Sequence, residues 1–288
     1  MAAYARFDGE IITSRQNRRI VELVKLDDRR AREKTRSFRF DGVKLLCEAI
    51  RRGVELDSVF LRAGTADKVA ERVQELYGYA LSEVGCPIFG VEDSLFEKIS
   101  QENAPDGVIT VAKYIDKSHN FNIIYKEDDL TARKDAPILL LESVRDPLNV
   151  GAIIRSAAAL GVGRLIMSAD CADLYHPRTL RAAMGPLFSM PVTRVEDLPG
   201  TVKALRASGR RIYAAALDDT AVRLGSSELD GERAGHPVGA VIGNEGHGLS
   251  PEVIAACDKS VYIPMEADTE SLNAGVAAAL IMWELCKK

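Results

Sequence analysis

Five short apolar segments in the second half of the chain restrict its fold more than any other feature of the sequence. They cover residues 138–141, 164–167, 211–215, 238–242 and 260–263, and the spacing between them predicts helices at 148–160, 177–184, 199–207, 251–256 and 272–285. Strands that are apolar along their whole length are buried on both faces, which is typical of a parallel sheet with helices on either side. The sequence therefore predicts an α/β fold with a parallel sheet in residues 137–288.

The first third of the chain alternates shorter strand and helix patterns, which predicts a smaller α/β/α domain. Ser14 is expected to cap the first helix, and Phe38 and Phe40 alternate with Arg39 as in a half-buried strand. Further strands are expected at 56–61, 79–84 and 107–112, and helices at 43–52, 66–76 and 93–99. The chain has 288 residues, more than one core usually needs, and polar stretches at 116–136 predict a linker between domains 1–115 and 137–288.

Charge is distributed unevenly along the chain. The formal net charge is −4, yet residues 11–52 contain thirteen Lys and Arg against six Asp and Glu. A basic end on an acidic protein indicates a polyanionic partner at that end, although a solvated helical surface is an alternative explanation.

Several other classes of protein are disfavoured by the sequence. The five cysteines contain no C-x-x-C pair and the four histidines no H-x-x-x-H spacing, so we expect reduced thiols and no metal site. No apolar run approaches the roughly 20 residues of a membrane span, and the first ten residues lack the apolar segment of a signal peptide. A cytoplasmic protein without a membrane partner is expected.

A glycine-rich loop follows the fourth apolar segment. It begins at Gly243, contains Gly246, Gly248 and one carboxylate, Glu245, and leads into a helix at Ser250. Backbone N–H groups in such a loop can face a ligand, and the alternative is an ordinary strand-to-helix turn that needs glycine for its dihedral angles. A dinucleotide site is disfavoured, because G-x-G-x-x-G does not follow the first strand and the glycine spacing of this loop is different.

Two further segments accompany this loop, Asp146-Pro147-Leu148-Asn149 through Arg155 before it, and Ile263-Pro264-Met265 with Glu270-Ser271-Leu272-Asn273 after it. Together the three segments resemble the motifs of the SpoU (TrmH-like) family of RNA ribose 2′-O-methyltransferases, in the same order. The similarity extends from residue 139 to 285. It implies a SPOUT fold with a deep trefoil knot, S-adenosylmethionine as methyl donor, an RNA substrate and a homodimer whose active site is shared between subunits.

The resemblance also implies a set of catalytic residues: Arg155, Asn149, Glu245, Ser271 and Asn273. Arg155 lies off the apolar stripe of its predicted helix, so we expect it to reach the RNA and to act there by position and charge. Glu245 is expected to orient Arg155 or to accept the hydroxyl proton, with capping of the next helix as an alternative. Ser271 is also expected to cap the last helix, and Gly275 to allow close backbone packing there.

The donor pocket implied by the resemblance consists of backbone amides and apolar walls, which suit a neutral adenine and a cationic sulfur. Its residues would be Ala216, Leu217, Gly243, Asn244, Gly246, Ile263 and Leu272. Basic side chains in both predicted domains are candidate RNA contacts: Arg15, Arg18, Arg39, Arg178 and Arg181.

Three short landmarks in the first domain, Ser14-x-Gln16-Asn17, Phe40-Asp41-Gly42 and Pro105-x-Gly107-Val108, resemble the substrate-binding domain attached to many SpoU enzymes. That domain is similar in fold to ribosomal proteins that bind kinked RNA. The expected function is transfer of a methyl group from S-adenosylmethionine to a ribose 2′-hydroxyl, with ribosomal RNA favoured as substrate. A transfer RNA 2′-O-methyltransferase and a catalytically inactive RNA-binding protein of the same fold are the alternatives.

Overall fold

The computed structural model describes residues 11–78, 80–115, 135–266 and 271–287. The chain divides into two compact units, Met1–Ile115 with Tyr175–Leu180, and Asp116–Leu174 with Arg181–Lys288. Most of the predicted linker, residues 116–134, lies outside the described residues.

The first unit has a four-stranded sheet in the order β1-β4-β2-β3, in which β4 is antiparallel to β1 and β2 while β2 and β3 are parallel. Its elements are α1 (Arg18–Lys25), α2 (Arg29–Thr35), β1 (Ser37–Asp41), α3 (Val43–Arg51), β2 (Leu56–Arg62), α4 (Ala66–Tyr77), β3 (Ile88–Val91), α5 (Asp93–Ile99) and β4 (Val108–Lys113). Helices α1 and α5 contribute Ile20, Leu23 and Phe96 to a core with Phe60 and Ile109 of the sheet. The predicted α/β organisation of this part of the chain is confirmed.

Two local predictions in the first unit were wrong. The first helix is capped by Asn17, whose side chain accepts from the Arg19 amide, while the Ser14 hydroxyl accepts from the Gln16 amide within the preceding turn. No strand covers the described part of 79–84: Leu81–Glu83 is a 3-10 turn, and the strand follows at Ile88–Val91. Strand pairing determines where the strand lies, because the neighbouring strand β2 pairs with residues 88–91.

The prediction of Arg39 as an RNA contact is also wrong, because its side chain is only 1% exposed. Arg39 Nη2 donates to the Ile99 carbonyl at 2.6 Å and lies 3.3 Å from Asp41 Oδ1, and Nη1 lies 3.6 Å from Asp27. The alternation with phenylalanine suggested a solvent-facing side, but all five residues of β1 are buried. The end of α5 at Ile99 covers the second face, which turns Arg39 into an internal ion-pair residue.

The second unit contains a seven-stranded sheet in the order β7-β6-β5-β10-β8-β11-β9, and every pairing is parallel. The elements that follow β4 along the chain are β5 (Ile138–Leu141), α6 (Pro147–Leu160), β6 (Arg164–Ser168), α7 (Pro177–Ala183), β7 (Val192–Val195), α8 (Leu198–Ala207), β8 (Arg211–Ala215), β9 (Val222–Arg223), α9 (Ser227–Arg233), β10 (Val238–Ile242), α10 (Pro251–Ala256), β11 (Lys259–Tyr262) and α11 (Ala274–Leu285). Residues 177–180 of α7 belong to the first unit and the rest of this helix to the second. The predicted parallel α/β fold is confirmed, and the trefoil knot stays a prediction.

The elements that the sequence pattern missed lie at the margins of the sheet. Strands β7 and β9 are the two edges, and in β7 only Val195 is fully buried, so neither shows the continuous apolar signal of a central strand. Helix α9 is mostly charged and buries only Leu229.

Strand order determines where the family motifs lie. Strands β5 and β10 pair at the centre of the sheet, with Leu141 opposite Ile242, and β8 and β11 follow on the far side of β10. Because the strands are parallel, the segments after β5, β10, β8 and β11 all leave from the same edge. The three motif segments are therefore gathered at the carboxyl edge of the sheet.

The five cysteines are free thiols, of which Cys47, Cys171 and Cys257 are buried. Burial raises the pKa of Cys257 to about 12, so this thiol is protonated at neutral pH. None of the helices in the described ranges has the length and apolarity to cross a bilayer.

Arg39→Ala should destabilise the first unit, because it leaves Asp41 buried without its ion-pair partner. We expect the free energy of unfolding to fall by about 3–5 kcal/mol, as when one partner of a buried pair is removed. Denaturant unfolding followed by circular dichroism measures this change. The exposed Arg15→Ala serves as control and should stay within about 0.5 kcal/mol of the unsubstituted chain; equal stability of the two variants would contradict the structural role.

Candidate active site

The loop after β10 folds back onto its own first residue. Asn244 and Gly248 exchange two backbone hydrogen bonds of 3.0 Å, and Gly248 has a φ of 69°. A Cβ atom added to Gly243 would lie 2.4 Å from the carbonyl carbon of Gly248. Glycine is therefore required at 243 by the closeness of the returning backbone, and at 248 by the left-handed dihedral angle.

The side chain of Asn244 holds this loop in place. Its Oδ1 accepts from the backbone amides of Gly246 at 2.8 Å and His247 at 3.2 Å, while its Nδ2 donates to the Ser143 carbonyl at 2.8 Å. One amide thus organises the loop internally and ties it to the segment between β5 and α6.

Helix α10 is capped without any help from Glu245. Ser250 Oγ accepts from the Val253 amide, and the Glu142 carboxylate accepts from the Ser250 amide at 2.8 Å and hydroxyl at 2.6 Å. The alternative that Glu245 caps this helix was therefore wrong.

Glu245 instead ends a chain of hydrogen bonds that crosses all three motif segments. Asn273 Nδ2 donates to Asn149 Oδ1 at 2.8 Å, and Asn149 Nδ2 donates to Glu245 Oε1 at 2.7 Å. Asn149 is 6% exposed, whereas Glu245 lies at the exposed side of the loop. The structure thus brings together three of the five residues predicted to be catalytic.

Asn273, not Ser271, caps the last helix. Asn273 Oδ1 accepts from the amides of Gly275 at 2.9 Å and Val276 at 3.3 Å, and Ser271 is exposed two residues earlier. An asparagine at this position can cap with its oxygen and still donate with its nitrogen, which a serine further from the helix cannot do.

Close packing at Gly275 is confirmed. A Cβ atom there would lie 3.1 Å from Asn273 Oδ1, 3.5 Å from Ala152 Cβ and 3.6 Å from Asn149 Oδ1. Small residues let α11 approach α6, and this approach brings Asn273 within reach of Asn149.

Arg155 lies on the exposed side of α6, as its position off the apolar stripe predicted. The stripe residues Val150, Ile153, Ile154 and Ala157 are completely buried. Within the described ranges, no hydrogen bond or ion pair involves the Arg155 side chain. Its guanidinium is available to an anionic ligand.

The residues predicted to bind the donor follow neighbouring strands. Ala216 continues β8 and donates to the Val261 carbonyl at 3.2 Å, and the half-buried Ile263 comes directly after β11. Leu272 is half-buried before α11, and Leu217 is 81% exposed. These residues share the edge of the sheet with the Gly243 loop, and their contacts with a donor stay a prediction.

Four predicted RNA contacts keep exposed side chains: Arg15, Arg18, Arg178 and Arg181. Arg18 forms an exposed pair with Glu22 on the next turn of α1, and Arg181 also has an interaction within the protein. Exposed pairs of this kind are weak, so a phosphate can compete for the guanidinium.

Sequence reasoning missed a polar cluster at the carboxyl ends of β5 and β6, formed by Ser143, Arg145, Ser168 and Asp170. Its members lie at the end of, or just after, two strands that are neighbours in the sheet, so the expected parallel order could have indicated it. No group of His, Cys, Asp or Glu suited to a metal ion occurs in the described portion of the chain.

Both parts of the chain match models of known protein families. The model of the "SpoU rRNA Methylase family" matches residues 136–283, and that of the "MRM3-like substrate binding domain" matches residues 17–110. A 23S rRNA (guanosine(2553)-2′-O)-methyltransferase, RlmP, from Bacillus subtilis is 27% identical over 95% of this chain and 98% of its own. A 23S rRNA (uridine(2479)-2′-O)-methyltransferase from Streptomyces viridochromogenes is 31% identical, over 96% of this chain and 92% of its own.

A solved structure shares the fold over most of the chain. The crystal structure of the SpoU methyltransferase AviRb from Streptomyces viridochromogenes, in complex with the cofactor AdoMet, has a TM-score of 0.76 and 28% identity. It covers 94% of this chain and 97% of its own.

Gly243→Ala should open the loop, because its Cβ has no space beside the Gly248 carbonyl. We expect a loss of stability of about 1–3 kcal/mol, as for overpacking, and faster hydrogen–deuterium exchange in a peptide covering 243–250. Gly246→Ala is the matched control, since its Cβ would meet only Asn244 Oδ1 at an ordinary 3.5 Å. Equal exchange in the two variants would show that crowding does not determine the loop.

Proposed function

We propose, on the premise that this chain belongs to the SpoU rRNA methylase family, that it transfers a methyl group from S-adenosylmethionine to a ribose 2′-hydroxyl of RNA. The observation that carries the proposal is the chain of hydrogen bonds from Asn273 through Asn149 to Glu245. It joins all three family motifs. An inactive RNA-binding protein would have no need for this arrangement, so the intact series of hydrogen bonds favours an enzyme.

Ribosomal RNA is the proposed substrate. The first unit matches an MRM3-like substrate-binding domain, and the two relatives compared above are both named as acting on 23S rRNA and match over nearly their whole length. The exposed Arg15 and Arg18 in the first unit, and Arg178 and Arg181 on α7, would contact its phosphates. This substrate implies activity in the cytoplasm.

The residues at the sheet edge fit S-adenosylmethionine. The exposed Gly246 and Gly248 present backbone without side chains at this edge, and half-buried Ile263 and Leu272 supply apolar walls. When bound, the donor provides an electrophilic methyl group on a positively charged sulfur. A pocket of backbone and apolar groups places no fixed cation beside that sulfur, which a lysine or arginine clamp would do.

Arg155 is the residue we assign to the RNA. Its guanidinium is permanently charged, and its planar donors can bind a phosphate beside the reacting ribose. The same positive charge stabilises the alkoxide that develops as the 2′-hydroxyl loses its proton.

Glu245 is assigned to the reacting hydroxyl or to the orientation of Arg155. Asn149 donates to its Oε1, and within the described ranges its Oε2 accepts no hydrogen bond. The second oxygen can therefore accept from the 2′-hydroxyl or from a guanidinium.

Asn149 and Asn273 act as positioning residues in this proposal. Asn149 is buried, and both the oxygen and the nitrogen of its side-chain amide form hydrogen bonds. The side-chain oxygen of Asn273 accepts a hydrogen bond that caps α11. Ser271 has an exposed side chain that the cap does not use, so it is available to substrate or donor.

A homodimer completes the proposal. Val276, Leu280 and Trp283 lie at helical spacing on one face of α11 and are 50%, 42% and 61% exposed. Three large apolar side chains on one exposed face indicate a surface that a second copy covers. The family resemblance implies that such a dimer shares its active site.

Arg155→Ala should abolish methyl transfer while leaving donor binding intact. We expect turnover at least 100-fold lower, with S-adenosylmethionine affinity within about threefold, or roughly 0.6 kcal/mol, because the side chain faces away from the buried stripe. The assay follows methyl groups from labelled donor into alkali-resistant dinucleotides of ribosomal RNA, and calorimetry gives the affinity.

Arg155→Lys should rescue little activity, since one ammonium cannot replace the planar fork. Lys203→Ala, at an exposed position of α8, is the control for loss of a surface charge and should retain full turnover. An Arg155→Ala enzyme with near wild-type turnover would remove this residue from the mechanism. Failure of the unsubstituted chain to bind S-adenosylmethionine at millimolar concentration would favour the inactive RNA-binding alternative.

Trp283→Glu should separate the dimer, because it buries a charge in the proposed apolar interface. Sedimentation velocity should show a monomer, with methyl transfer at least tenfold lower. Val21→Glu, an equally drastic change at an exposed valine of α1, is the matched control and should leave the oligomeric state unchanged. An unaltered sedimentation coefficient in Trp283→Glu would exclude this face as the interface.

A further inference from the structure

Asp170 is the centre of the polar cluster beside the proposed active site. Its Oδ2 accepts from Ser143 Oγ at 2.6 Å and from Arg145 Nη2 at 3.0 Å, and its Oδ1 accepts from Ser168 Oγ at 2.6 Å. Burial by itself raises the pKa of Asp170, but the hydrogen bonds from Ser143, Ser168 and Arg145 outweigh it and lower the pKa to about 2. The carboxylate is therefore ionised throughout the physiological range and can accept from all three donors there.

Ser143 needs such a partner because its backbone is strained. Its φ is 54°, in the left-handed region that is unfavourable for a residue other than glycine. Its amide donates to Ser168 Oγ at 2.9 Å while its own hydroxyl donates to Asp170, so a closed ring of hydrogen bonds holds the residue from two sides.

The conformation of Ser143 determines the direction of its carbonyl. That carbonyl accepts from Asn244 Nδ2 at 2.8 Å, and Asn244 Oδ1 in turn accepts from the amides of Gly246 and His247. Glu245 lies between these residues and receives the amide of Asn149. An unbroken series of contacts thus runs from Asp170 to the loop that carries Glu245.

We infer that Asp170 is a positioning residue for methyl transfer, which holds Ser143 left-handed so that the Ser143 carbonyl anchors the Gly243 loop. The inference rests on the proposed function for its link to catalysis. Asp170 itself touches neither substrate nor donor in this assignment. Its effect reaches the loop through the φ angle of Ser143. A substitution that makes a positive φ at this position more favourable therefore tests the inference.

Glycine at position 143 removes the need for Asp170. Because glycine adopts positive φ without strain, Ser143→Gly should keep the carbonyl in place unaided. Asp170→Ala alone should accelerate exchange of the 243–250 peptide in ligand-free protein and weaken S-adenosylmethionine binding about tenfold, with the KM for RNA unchanged. Ser143→Gly with Asp170→Ala should match the unsubstituted protein within about threefold in both measurements.

The two readouts separate this inference from the proposed function. Exchange in the ligand-free protein needs neither donor nor RNA, so it decides the role of Asp170 even if the unsubstituted chain bound no S-adenosylmethionine. If Asp170→Ala does not fold, Asp170→Asn replaces it in the same cycle, since an amide keeps the shape but loses one acceptor and the charge. The control is Glu196→Ala, which removes an exposed carboxylate after β7 and should change neither readout.

Two results would overturn the inference. One is a double variant that keeps the full loss of Asp170→Ala, since glycine would then have failed to replace the carboxylate. The other is a raised KM for RNA in Asp170→Ala that Arg145→Ala reproduces, which would mean that Asp170 acts through the exposed Arg145 and not through the loop.

Discussion

The arrangement of the site depends on the hydrogen bonds of one buried side-chain amide, that of Asn149. It receives a hydrogen bond from Asn273 on one side and donates to Glu245 on the other, and it is almost completely shielded from water. A buried polar group that loses its partner costs about 1–3 kcal/mol, so removing either neighbour penalises the whole arrangement. The site is thereby coupled to the packing of α6 against α11, which small residues such as Gly275 permit.

Backbone conformation supports the same loop from a second direction. Gly243 has no room for a side chain, Gly248 needs a positive φ, and Ser143 adopts a positive φ without being glycine. Strained or crowded backbone of this kind persists only where the surroundings over-determine it, and it occurs preferentially at functional sites. In this chain the surroundings are identifiable, since Asn244 and Asp170 supply the hydrogen bonds that keep both segments in place.

Positive charge in the first unit has two distinct uses. Arg32 and Arg39 are buried, and they donate to backbone carbonyls, Arg32 to those of Leu26 and Asp27 and Arg39 to that of Ile99. Arg15 and Arg18 are exposed and can meet a phosphate. The basic excess counted along residues 11–52 therefore overstates the positive surface offered to RNA, because part of it stabilises the fold.

Local sequence by itself determined the elements whose signal is local. Continuous apolar runs located the five inner strands, helical spacing placed Arg155 opposite the buried stripe of α6, and the motif residues identified the family. The edge strands, the strand at Ile88–Val91 and the burial of Arg39 were decided by which neighbour covers or pairs with each segment, and that partner is distant in sequence. The same holds for the cap at Asn273 and the role inferred for Asp170: each depends on atoms that meet only when parallel strands and the helices beside them are assembled, so tertiary structure alone could decide them.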